Sequence, residues 1–235
     1  MLQYLARLHA VEMVNVKPMS DTQIIYLLAS TILIPCVLGL VKYKVLKLPF
    51  KLIVLLLFTG LFTEAVMIVL STKKINNLFA VHFYALAEII FFGLFFFHSI
   101  KSGVVRKLTI LSMVCLAMFA VIYALFGNNI AEFNSIPRAM ECLYFTTLSA
   151  WLFYEMADYH RQVDECEYYF NGTVLFYFSS CFVIFAFNKY VATNQDVLWT
   201  MVKAHSYVNA ACNILYALGI WIASKSFYHQ SSPST

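Results

Sequence analysis

The stretch Leu52–Ser99, "LIVLLLFTGLFTEAVMIVLSTKKINNLFAVHFYALAEIIFFGLFFFHS", reads as two apolar runs joined by a short polar break. Each run has about the 20 residues that a helix needs to cross the hydrocarbon core of a bilayer. The break, "KKINN", carries Lys73, Lys74, Asn76 and Asn77, groups that stay at a membrane surface. So short a connector makes the two helices antiparallel neighbours. The stretch is therefore a membrane-spanning helical hairpin, and it holds three polar groups that such a hairpin buries only at a cost: Glu64, His82 and Glu88. Ionisable side chains inside a spanning helix face the bundle or a wet cavity, and they are functional candidates by default.

The same pattern repeats outward from the hairpin. Seven apolar stretches are long enough to span, at 22–41, 52–71, 79–100, 108–127, 139–158, 170–190 and 197–223. Of the 235 residues, 62% are hydrophobic and only 12% charged, against about 25% charged in an ordinary soluble domain. That is more apolar surface than one aqueous core can bury. No internal repeat appears, and no strand alternation of lumen and lipid faces, which argues against a β-barrel. The expected fold is all-α: a polytopic integral membrane protein built as a seven-helix transmembrane bundle over residues 19–225. Residues 226–235 form a cytoplasmic tail. Residues 1–18, "MLQYLARLHAVEMVNVKP", read as a weakly amphipathic tail. That tail is either flexible, a short interfacial helix, or a segment ahead of a native start at Met19, and it lacks the pattern of a signal peptide. Pro35 denies the Thr31 carbonyl its helical partner and should kink the first helix.

Loop cations set the orientation. Lys42, Lys44, Lys47, Lys51, Lys101, Arg106, Lys107, Arg161 and Lys225 fall on one side, nine in all. Arg7, Lys17, Lys73, Lys74, Arg138 and Lys189 fall on the other, six in all. The richer side belongs in the cytoplasm, which places the N-terminus outside and the C-terminus inside. The short chain and tight loops suit a bacterial inner membrane. The small net charge of +4 is spread over loops, with no basic face for nucleic acid. The six cysteines show no C-x-x-C spacing and read as small buried hydrophobes.

Further polar groups lie within the spans: Glu141 in the fifth, and Lys203, His205, Asn209 and Asn213 in the seventh. At about 100° per residue, His205, Asn209, Asn213 and Tyr216 form one stripe, while Lys203 stands apart and snorkels to the outer edge. His82 and Glu88 flank Ala85, a small residue that admits a neighbouring helix. Tyr84 stands one turn before Glu88, within reach of a hydrogen bond along the helix. Gly60 permits close packing beside Glu64. Glu155 and Asp158, near the inner end of the fifth span, read as solvated. The candidate pocket residues are Glu64, His82, Tyr84, Glu88, Glu141, His205, Asn209 and Asn213. His82, Glu88, His205 and Asn209 should share one outward cavity, with Glu64 and Glu141 at its rim.

Two functional classes fit. The first is a non-enzymatic sensor, receptor-like or a small-solute carrier. Its partners are the lipid bilayer and either a separate cytoplasmic signalling protein or further copies of itself, because its own cytoplasmic segments are short. The alternative is an intramembrane hydrolase of lipid-like substrate, working either by general acid–base chemistry of a carboxylate pair with His or through a metal, with His82, Glu88 and His205 as candidate ligands. The residues leave any cofactor open. The signature residues of other seven-helix proteins are missing. Lys203 stands too high for a retinal lysine, with Trp199 rather than an acid one turn earlier. "HSYVN" pairs His205 with Asn209 where the seven-helix metal hydrolases pair two histidines. The Pro-Gln pair of seven-helix sugar transporters is absent.

Overall fold

In a computed structural model, residues 20–127, 135–158, 165–191 and 195–231 are described. Residues 1–19, which include the tail at 1–18, lie outside this range, as does the end of the C-terminal tail. Among the described residues the fold is all-α. The helices are α1 (Ser20–Ser30), α2 (Leu33–Lys42), α3 (Leu48–Thr72), α4 (Leu78–Ser99), α5 (Gly103–Ile122), α6 (Ser135–Asp158), α7 (Glu165–Val191) and α8 (Gln195–Ser231). The chain is a multipass membrane protein.

The two halves of the first span, α1 and α2, are separated at Thr31 and Ile32. Pro35 has no N–H to offer the Thr31 carbonyl. That carbonyl instead accepts from Ile34 N at 3.1 Å, a tighter turn that breaks the rod. Pro49, in the first turn of α3, suits a helix start, where an N–H is dispensable. The hairpin turn after α3 closes with Lys74 N donating to the Ser71 carbonyl (2.9 Å) and Ile75 N to the Leu70 carbonyl (3.0 Å). Lys74 takes the left-handed conformation, φ 57°, that ends many helices.

Among the described residues six helical stretches are long and apolar enough to cross a membrane, where the sequence led us to expect seven. The one that falls short is α6. Its 24 residues suffice in length, but Arg138, Glu141 and Glu155 dilute its apolarity, and all three side chains are buried against other helices. Only a lipid-facing surface must be apolar, so a buried polar stripe lowers the mean without forbidding a crossing. Arg138 meets Phe185, Ser149 meets Asn171, and Phe153 meets Tyr168, so α6 packs antiparallel to α7.

Six walls close into a ring in the order α2, α3, α4, α6, α7, α8 and back to α2, with α1 also on α8. Outside this ring, α5 packs on α4 and touches α6. Its outward face, with Leu108, Leu111 and Met118, is exposed and suited to lipid. Inside the ring, Phe92, Phe96, Phe145 and Phe178 form an aromatic floor with ring centroids 4.8–6.0 Å apart. Phe50 stacks on Phe170 at 4.7 Å. Polar locks join the walls. Ser149 Oγ donates to Asn171 Oδ1 (2.7 Å), and Asn171 Nδ2 donates back to the Ser149 carbonyl (3.0 Å).

Glu155 corrects an expectation. It is buried, not solvated, and accepts hydrogen bonds from Lys101 N (2.8 Å), Ser102 N (3.1 Å) and Trp151 Nε1 (3.0 Å). A carboxylate at these backbone donors anchors the N-terminal end of α5, where the helix dipole favours negative charge. Asp158 is exposed.

Candidate functional site

The centre of the bundle is an ion cluster that joins two helices. Arg138, in the first turn of α6, is buried and directs Nη1 at both Glu88 Oε2 on α4 and Glu141 Oε2 on α6, the latter at 2.7 Å. Glu141 follows Arg138 by three residues, so the two share a helix face. The Arg138 guanidinium lies over the Phe185 ring, 5.1 Å from its centroid. The Tyr177 hydroxyl sits 3.5 Å from Glu88 Oε1. Removing one partner of such a buried set costs far more than an exposed pair.

Beside the cluster lies a cavity of about 100 Å³. Its polar lining comes from every wall of the ring except α2. Glu64 stands on α3, Tyr84 and Glu88 on α4, Arg138 on α6, Tyr177 on α7, and His205, Asn209, Asn213 and Tyr216 on α8. Ala29 and Ile32, at the break between α1 and α2, complete it. The Pro35 kink matters here. Thr31 Oγ1 donates to the Leu28 carbonyl at 2.6 Å and accepts Asn213 Nδ2 at 3.0 Å, which pins α8 to the break. Glu88 and His205 are fully enclosed, while Glu64, Asn209 and Asn213 are half-buried. His205 is held by Tyr177 and Phe185 and places Nδ1 3.4 Å from Cys181 Sγ.

Of the eight pocket candidates, six line this cavity: Glu64, Tyr84, Glu88, His205, Asn209 and Asn213. The third and seventh spans, α4 and α8, are bridged by Tyr177 of α7, which touches both Glu88 and His205. His82 and Glu141 are placed elsewhere. They line a second, largely apolar cavity of about 260 Å³ between α4, α5 and α6, whose wall includes Arg138. Glu141 is not at a rim but fully buried. Tyr84 makes no hydrogen bond with Glu88. It leans instead over Gly60, where a Cβ would stand 3.3 Å from its ring. The metal candidates His82, Glu88 and His205 do not converge, and among the described residues no group of three His, Cys, Asp or Glu side chains could hold a metal ion. The metal-dependent form of the hydrolase alternative finds no ligand set among the described residues.

Two site residues were missed. Arg138 was counted among loop cations, although its spacing from Glu141 is the signal that places it on a buried face. Tyr177 is one of fifteen tyrosines, and only the packing of α7 singles it out. Comparison of the chain with family models, with curated proteins and with solved structures finds no match, so its chemistry is read from the cavity itself.

Proposed function

We propose that this protein binds a small polar solute in an outward-opening cavity, as a receptor-like sensor or a small-solute carrier. The observation that supports this reading is that the cavity's polar lining is not used up by helix packing. The Tyr216 hydroxyl is buried without a hydrogen-bond partner. The Asn209 side chain also lines the cavity and makes no hydrogen bond to a described residue. Groups that only glued helices together would be paired with one another, because an unpaired buried polar group is costly.

With α6 counted as the seventh crossing, the N-terminus lies outside and the C-terminus in the cytoplasm. The burial of Arg138 strengthens this orientation. That residue leaves the poorer set of loop cations, which falls to five against nine. The host membrane on this reading is a bacterial inner membrane. Signalling would pass to a separate cytoplasmic partner or through a homo-oligomer.

An Asn209→Cys protein, made in a background lacking the exposed Cys115 and the cavity-lining Cys212, tests the opening. A membrane-impermeant thiol reagent added outside intact cells should label it, and the background protein should stay unlabelled. Labelling only after the cytoplasmic side is exposed overturns the outward opening. Uptake of a bound solute into proteoliposomes would then assign a carrier, and binding without uptake a sensor.

A further inference from the structure

We infer that the second cavity, between α4, α5 and α6, binds an apolar alcohol: one hydroxyl on a hydrocarbon body. This goes beyond the solute reading of the central cavity and does not depend on it. Tyr144 pins α6 to α5, its hydroxyl donating to the Thr109 carbonyl at 2.9 Å. Beyond that pin the facing side chains are small. Ala85 on α4, with Ala120 and Ala124 on α5, leaves a space of about 260 Å³. An apolar cavity of about 150 Å³ holds benzene, so this one takes a body of about ten non-hydrogen atoms. Phe83, Val121 and Leu125 stand in its wall and are also exposed on the surface of the bundle, so an apolar molecule reaches it from the bilayer.

The polar corner of the cavity selects the head group. Arg138 and Glu141 stand together in the wall, one turn apart on α6. Arg138 makes its hydrogen bonds through Nη1, to Glu88 and Glu141. Its Nε and Nη2 donors make none to a described residue, although the side chain is buried. Glu141 gives Oε2 to Arg138, and its Oε1 is buried with no hydrogen-bond partner. Unspent donors beside an unspent acceptor match a group that both accepts and donates, and a hydroxyl does both. A ketone or an ether accepts from Arg138 and leaves Glu141 Oε1 unmet. An ammonium group meets the guanidinium as a like charge. A carboxylate meets Glu141 and Glu88, which share the one guanidinium between them. A water satisfies the polar corner alone. The rest of the wall, with Val81, Ile89 and Val121, gives further waters nothing to bond.

The test uses the full chain in lipid nanodiscs and four compounds of one carbon skeleton. These are menthol, the ketone menthone, the hydrocarbon menthane and menthylammonium. Radiolabelled menthol measures saturable binding, the others compete with it, and each compound's uptake by empty nanodiscs is subtracted. Menthol should saturate at one per chain. Menthone and menthylammonium should bind several-fold more weakly, and menthane about tenfold more weakly. Ala120→Leu, which fills the cavity away from the ion cluster, should weaken menthol about tenfold or more and leave thermal unfolding unchanged or raised. Menthone, menthane or menthylammonium binding as tightly as menthol overturns the hydroxyl assignment. No saturable menthol binding overturns the site, as does unchanged menthol affinity in a folded Ala120→Leu protein. The comparison of the four compounds decides the matter on the unaltered chain if that variant does not fold.

Discussion

Arg138 holds two carboxylates at once, so its removal strands both in a low-dielectric interior. Arg138→Met should destabilise the bundle by about 3–5 kcal/mol. The triple replacement Arg138→Met, Glu88→Leu, Glu141→Leu should cost markedly less, because no uncompensated charge remains. Unfolding in nanodiscs with increasing denaturing detergent measures the difference, and a triple variant less stable than the single one contradicts this account. At this scale the sequence was partly legible. Glu64, Glu88, His205 and Asn209 were found because an ionisable or amide group in an apolar run must be accommodated somewhere. Arg138 was not, because a cation near the end of an apolar run serves equally as a loop charge. Only the side chain's direction, inward over the Phe185 ring, separates the two readings.

Among the elements, α2 and α3 meet most closely at Gly39, where a Cβ would stand 2.8 Å from a methyl of Val54. Val54 is β-branched and stiff, so it cannot swing aside. Gly39→Ala should therefore destabilise by about 1–3 kcal/mol, measured by thermal unfolding. A neutral outcome would mean that α2 shifts freely on α3. At the other side of the ring, Glu155 ties the start of α5 to α6. Glu155→Ala leaves the backbone donors of Lys101 and Ser102 without their carboxylate and should cost about 1–3 kcal/mol. Amide exchange at Lys101 and Ser102 should rise in the variant, and unchanged exchange there removes the anchoring role. Glu155 was read as solvated from its place near a helix end. Nothing in the α6 sequence reveals that the α4–α5 connector lies above it.

At the scale of the whole molecule, the order of the walls puts the cavity inside a closed ring and leaves α5 outside. The position of α6 then decides the handedness of the topology. A reporter fused after Ser224 should read cytoplasmic, and one inserted in the α3–α4 turn near Asn76 should read external. Both reporters on the same side would mean an even number of crossings between them rather than the five expected, and the outward assignment of the cavity would fall.

Apolar run length and the charge of the connectors determined, from the sequence alone, that this is a helical membrane protein. They also set the helix stripes that carry the polar groups, because hydrogen bonding inside lipid forces each apolar run into a self-satisfied helix; the count was read as seven, and six helices among the described residues are apolar enough to cross. The kink at Pro35 was equally local, since a missing N–H acts on a carbonyl four residues away. Which stripes face one another was decided only in the tertiary structure. His82 and Glu88 lie on one helix within two turns, yet they open into different cavities, because α6 wedges Arg138 between them. Helical periodicity gives each polar group an angle about its own axis. The angle of one axis relative to the next comes from packing between helices far apart in the chain, and it is packing that brings Glu88, Tyr177 and His205 together.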